Sequence, residues 1–164
     1  MNILAGREHS VAELQQKLRQ KLQQKLRRKL PQKTTESDDY SEPDAADETD
    51  SLDALIETVL EQLISDKLLD ETRFTTAFIR SRTAKGSGPV KIRHELMERG
   101  ISSELIEEYL DDSYELWQEH IEAVRSKRFG VQRPQDYKEQ SKQSRFLYQR
   151  GFSGELIQRL FNDI

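Results

Sequence analysis

One stretch of this chain is written twice. Leu96 to Leu110 aligns with Leu147 to Phe161 at a constant offset of 51, pairing Arg99-Gly100 with Arg150-Gly151, Ile101 with Phe152, Ser102 with Ser153, and Glu104-Leu105-Ile106 with Glu155-Leu156-Ile157. Each copy reads as one helix ending and the next beginning. The glycine can take a left-handed C-terminal cap, the serine is an N-cap, and the glutamate falls in a first turn where the helix dipole favours it. The hydrophobe before the cap can fold back on the new helix, Ile101 on Ile106 and Phe152 on Ile157. Reuse of such a unit constrains the fold, because each copy buries its apolar face only against a neighbour. The start of the chain fits the template when Leu14, Leu18 and Lys21 are set against Ile92, Leu96 and Arg99, and Leu55-Ile56 against Leu105-Ile106 after a long insertion. The expected fold is all-α, with tandem three-helix repeats forming an elongated, curved helical solenoid. The expected repeats are 1–68, 69–112 and 113–164, the first incomplete at its start and interrupted by a disordered acidic insertion at about 33–50.

The middle repeat carries the clearest local signals. Asp70 is a good N-cap, and Leu69 before it is placed to staple onto Phe74. Phe74, Phe78 and Ile79 make one apolar stripe, with Arg73, Arg80 and Arg82 expected off it. Lys85-Gly86-Ser87-Gly88-Pro89 then breaks the helix, because two glycines disfavour its continuation and proline is welcome only in a first turn. The next helix buries Ile92 and Leu96, exposes Lys91, Arg93 and Arg99, and stops at Gly100.

Elsewhere, Ser10 and Glu13 form a capping box that opens a basic helix with leucines at 14, 18, 22, 26 and 30. A four-residue repeat drifts around a 3.6-residue helix, so the first three leucines should pack and the others project or fray. Leu52, Leu55, Ile56, Val59, Leu60, Leu63 and Ile64 predict a strongly apolar helix ending near Asp66-Lys67. Tyr114, Trp117, Ile121 and Val124 predict another, stopped by Gly130 and Pro134, followed by one over about 135–149.

The net charge of −4 conceals segregation: nine acids between Glu36 and Asp53, with no Lys or Arg among them, leave +5 on the rest. The acidic run is a plausible intramolecular partner for the basic helix beside it. Charged and hydrophobic residues are each 34% of the chain, which suits thin helical layers with charged faces. With no cysteine there is neither a disulfide nor a thiolate metal site. The expected location is the cytoplasm, without a membrane span. His9, His94 and His120 lack a second ligand at i+3 or i+4, so no metal is expected. Lys85-Gly-Ser-Gly lacks the Gly-Lys-Ser/Thr of a phosphate loop, and the paired carboxylates at 107–108 and 111–112 have nothing apolar nearby to raise a pKa. No catalytic residue and no cofactor are expected.

Leu69-Asp-Glu-x-Arg-Phe74, Phe78-Ile79, Lys85-Gly-x-Gly-Pro-x-Lys-Ile-Arg93, Glu95-Leu96 and Arg99-Gly-Ile101 resemble the central signature of the RecX regulator family. Arg7-Glu-His-Ser10 with Glu13-Leu14 and Lys17-Leu18 resembles its first-repeat motif, and Phe146-Leu147 with Arg150-Gly-Phe152 its last. The resemblance implies a regulator, expected as a monomer, that binds the RecA recombinase and its filament on single-stranded DNA. It would restrain recombination, ATP hydrolysis and co-protease activity, and so modulate DNA repair and the SOS response. A basic helical protein can meet protein and DNA phosphate together. The candidate contacts are Arg73, Arg80, Arg82, Lys85, Lys91, Arg93 and Arg99 in the middle unit, and Arg125, Lys127, Arg128, Lys142, Arg145 and Arg150 in the last. Asp70, Phe74, Gly86, Gly88, Pro89, Leu96, Gly100 and Gly151 are expected to be structural. The alternative is a general DNA-binding basic helical-repeat protein without a recombinase partner.

Overall fold

The computed structural model describes residues 8–29 and 45–162, which hold eight helices and no strand. None of these helices is long and apolar enough to cross a membrane. The chain divides into two compact units, Met1–Glu71 and Thr72–Ile164.

The first unit contains α1 (Val11–Lys29) and α2 (Ala45–Ser65). Ser10 Oγ accepts the Glu13 amide at 3.1 Å, which is the expected cap. Leu14 is buried against Ile56, Leu60 and Leu69, while Leu18 and Leu22 sit at the edge of that cluster, as the drifting leucine row requires. Arg19 reaches Asp53 with two hydrogen bonds, at 2.9 and 2.6 Å, tying the two helices together.

One expectation needs correction here. The acidic insertion was expected to stay unfolded to about residue 50, yet α2 already begins at Ala45. Two alanines followed by acids suit a first turn, where the dipole favours negative charge; residues 30–44 of the insertion, with Leu30, lie outside the described residues. The broad α2 stripe is only half used: Leu55, Val59 and Ile64 are 57%, 41% and 48% exposed, because a single neighbour covers only a narrow face. Leu69 is buried in the first unit's core and Phe74 in the second's.

The second unit runs α3 (Glu71–Ala84), α4 (Pro89–Met97), α5 (Ser103–Tyr109), α6 (Tyr114–Phe129), α7 (Tyr137–Gln149) and α8 (Gly154–Asn162). The written repeat is visible bond for bond. Gly100 N donates to Met97 O at 2.9 Å and Ile101 N to Leu96 O at 3.2 Å; Gly151 N and Phe152 N do the same to Tyr148 O and Leu147 O, at 2.9 and 3.2 Å. Both glycines are left-handed, with φ of 75° and 89°, and Ser102 and Ser153 each cap the following helix through the amide three residues on.

Both repeats share one core, in which Ile92, Leu96, Ile106, Ile121, Leu147 and Phe152 are almost wholly buried. Trp117 joins it with its indole N–H satisfied by Asp111 O at 2.8 Å. The repeats are also joined through backbone. Gly88 N donates to Arg150 O at 2.8 Å and Val90 N to Gly151 O at 3.0 Å, so the end of α7 satisfies the open amides at the start of α4. A Cβ on Gly88 would lie 2.5 Å from Phe152 N, and one on Gly151 would overlap the Cβ of Lys91 and sit 2.7 Å from its amide. Gly88 is therefore more than a helix breaker, and Gly151 more than a cap: both are sites of close approach.

Candidate functional site

Two helices of the second unit each present one long face to a common groove. On α6 the face is His120, Ala123, Val124, Lys127 and Arg128; on α7 it is Lys138, Ser141, Lys142, Arg145, Phe146 and Gln149. Both rows step by three and four residues, which stacks their side chains along one side of a helix. The hollow between α6 and α7 has a volume of about 650 Å³ and is completed by Phe129 and Tyr137. A second hollow of about 350 Å³ lies where Lys85 and Gly86 meet α6, Phe146 and Arg150. The two are contiguous, because Arg128 and Phe146 line both. A third, of about 440 Å³, adds Arg80, Ile79 and Tyr109 and joins through Ala84 and His120.

The floor is apolar and fixed. Phe129 and Phe146 meet edge to face, with ring centres 5.3 Å apart. Arg150 lies over Phe146 at 5.2 Å and donates to Lys85 O at 3.3 Å. The walls are cationic: Arg80, Lys85, Lys127, Arg128, Lys138, Lys142, Arg145 and Arg150 line the three hollows, and no Asp or Glu does. Clustered charge of one sign in a concave surface focuses the field toward an anion. His120, edge-on to Trp117 at 5.5 Å, is the one histidine in the lining, and its burial lowers its pKa. Its neutral form is therefore favoured, and lysine and arginine carry the groove's charge.

Sequence profiles for two RecX domains match the chain, the second three-helix domain over residues 70–110 and the third over 115–161. Regulatory protein RecX of Pseudomonas entomophila is 38% identical over 162 residues, covering 99% of this chain and 86% of its own. Regulatory protein RecX of Serratia proteamaculans is also 38% identical, covering 99% and 94%. The chain belongs to the RecX family. A solved structure described as a crystal structure of regulatory protein RecX shares the fold, with a TM-score of 0.65 and 18% identity over 98% of this chain and 66% of that one. The two matched RecX domains coincide with α3–α5 and α6–α8. The family's named relatives are regulatory proteins, in keeping with the regulator expected from the motifs.

Against this RecX framework the candidate cations separate into three groups. Arg80, Lys85, Lys127, Arg128, Lys142, Arg145 and Arg150 come together along the groove. Arg73 and Lys91 are exposed but line no part of it. The remaining four are engaged within the fold. Arg82 and Arg99 hold the two guanidinium carbons 4.8 and 4.7 Å from the Phe78 ring centre, and Arg82 pairs with Glu95 at 2.7 Å. Arg82 was expected clear of the apolar stripe; instead it covers it, because a long arginine stem packs on an aromatic while its head finds a carboxylate. Arg93 faces Asp112 at 3.4 Å.

Arg125 is the clearest correction, being 0% exposed. It pairs with Glu122 at 3.0 and 2.6 Å and donates to the carbonyls of Gln132 and Val131 and to Gln143 Oε1. It pins the connection between α6 and α7 and cannot reach a ligand. Its hydrogen bond also holds the Glu122 carboxyl below its usual pKa, against the opposing effect of burial. Sequence reasoning missed Lys138, Tyr137 and Phe146 as groove residues. The three-and-four spacing along 138–149 was the available signal.

Proposed function

We propose that this chain is a cytoplasmic, monomeric regulator of the RecA recombinase that lies on the recombinase filament on single-stranded DNA and restrains recombination, ATP hydrolysis and co-protease activity. The observation that carries the DNA side of this reading is the contiguous cationic groove without a lining carboxylate. A phosphate backbone laid along it would release counterions at each contact, giving salt-dependent binding that needs no base sequence. Membership of the RecX family, together with the motifs at Leu69–Arg99, supports the recombinase as partner.

The test uses a variant carrying Glu at Lys85, Lys127, Arg128 and Arg145, all exposed. Arg82 and Arg125 are left alone because both hold the core. The parent should suppress recombinase ATP hydrolysis on single-stranded DNA; the variant should melt like the parent yet fail to suppress it, with the gap widening as salt is lowered and screening weakens. Full inhibition by a well-folded variant at low salt would remove the groove from the mechanism. Equal affinity for naked strands and for filaments at one salt concentration would favour a DNA-binding protein without a recombinase partner.

A further inference from the structure

We propose that the groove between α6 and α7 is a single-strand site in which an unpaired DNA base stacks on Tyr137. The proposal rests on the reading of the groove as a phosphate-binding surface and adds what it does with the bases. Tyr137 is the first residue of α7 and is 84% exposed while lining the groove. Lys138 follows it directly, and Lys142 and Arg145, one and two turns beyond Lys138, line the same groove, so phosphates held there would carry their bases past the ring. The acids nearest Tyr137 serve as helix caps. Asp136 accepts the Glu139 amide at 2.7 Å, and Glu139 accepts the Gln135 amide at 3.0 Å, so both carboxylates are turned to the backbone as caps.

The edge-to-face pair of Phe129 and Phe146 closes the floor, leaving Tyr137 as the aromatic face open at the rim. Unpaired bases stack on such rings without regard to sequence, because every base has a π-face. A base in a duplex already has both faces covered, so the ring would favour single strands over duplex, whereas cations alone favour both.

The experiment measures affinity of the full chain for a single-stranded oligothymidylate and for a duplex of matched length, at several salt concentrations. Tyr137→Leu should weaken single-strand binding by about 5- to 150-fold, the range base stacking supplies. Its duplex affinity, salt slope and melting temperature should stay as in the parent, and Tyr137→Phe should keep single-strand affinity. Unchanged single-strand binding by Tyr137→Leu, or equal losses for strand and duplex, overturns the proposal. The four-glutamate variant run alongside separates the two readings. If it loses binding while Tyr137→Leu does not, only the stacking is wrong; if it binds as the parent does, the groove itself is wrong.

Discussion

The second and third repeats share a backbone and differ in what they do with positive charge. Their helix–turn–helix joints carry the same hydrogen bonds at the same offsets, from Leu96 to Leu105 and from Leu147 to Leu156. In the second repeat, Arg82 and Arg99 enclose Phe78 and Arg93 meets Asp112. In the third, Lys127, Arg128, Lys138, Lys142 and Arg145 stand around an acid-free groove, while Arg125 is buried, Arg150 lies over Phe146 and Arg159 over Tyr114. An arginine with a carboxylate or aromatic within reach becomes part of the packing. One on a helix face without either remains available for an external anion. The joint is therefore the constant part of the repeat, and its charged faces are free to diverge.

The strongest way to break the comparison is at the matched glycines. Ala at Gly100 must adopt a left-handed φ of 75°, which costs roughly 1–2 kcal/mol. Ala at Gly151 meets the same strain at 89° and also drives its Cβ into Lys91, so a loss of about 3 kcal/mol or more is expected. Chemical denaturation of the two variants measures the gap. Equal losses would mean that the contact between repeats relaxes freely and the two joints are equivalent in energy as well as in pattern.

A second contrast sets one engaged arginine against another. Arg125→Met leaves buried carbonyls and Gln143 without their donor and should cost about 2–4 kcal/mol. Arg99→Met loses a cation stacked on Phe78 but keeps an apolar stem there, so about 0.5–1 kcal/mol is expected. Thermal melting ranks them, and the reverse order would contradict the role assigned to Arg125. A third contrast reads binding. Arg145→Gln in the groove should flatten the salt dependence of single-strand affinity by about 0.7 log units per decade of salt, one contact's share. Arg93→Gln, already facing Asp112, should change the slope little; a like effect at both sites would show that the second repeat also meets phosphate.

The joints were legible in the sequence because caps are local. Ser102, Gly100 and their copies 51 residues later act within six residues of themselves, and their bonds form as the pattern requires. The fate of each cation was not legible, because it depends on what distant residues bring within reach: Glu95 beside Arg82, Gln143 beside Arg125, Asp112 beside Arg93. Gly88 shows the same limit. Its sequence neighbours explain the helix break, but only the approach of Arg150 and Gly151 explains why no side chain fits.

The smallest effect concerns acid, and it tests whether the buried arginine of the third repeat works as a pair. The Arg125 hydrogen bond lowers the Glu122 pKa from 4.5 in the folded chain. A carboxyl whose folded pKa lies below its unfolded value stabilises the fold fully above the unfolded value and loses that contribution as pH falls through the folded one. The Glu122 contribution should therefore be whole at neutral pH and fade below about pH 4.5. Since the Glu122 side chain is 36% exposed, solvent screening keeps the contribution under about 1 kcal/mol. Glu122→Gln should melt slightly below the parent at neutral pH, and the two curves should converge as pH falls below the ordinary carboxylate range, where the parent carboxyl also becomes neutral. Parallel curves across that range would mean that Arg125 is held by the carbonyls of Val131 and Gln132 and by Gln143 without help from the carboxylate's charge. The ion pair would then be incidental, and the buried arginine of the third repeat would resemble the stacked arginines of the second more closely than its geometry suggests.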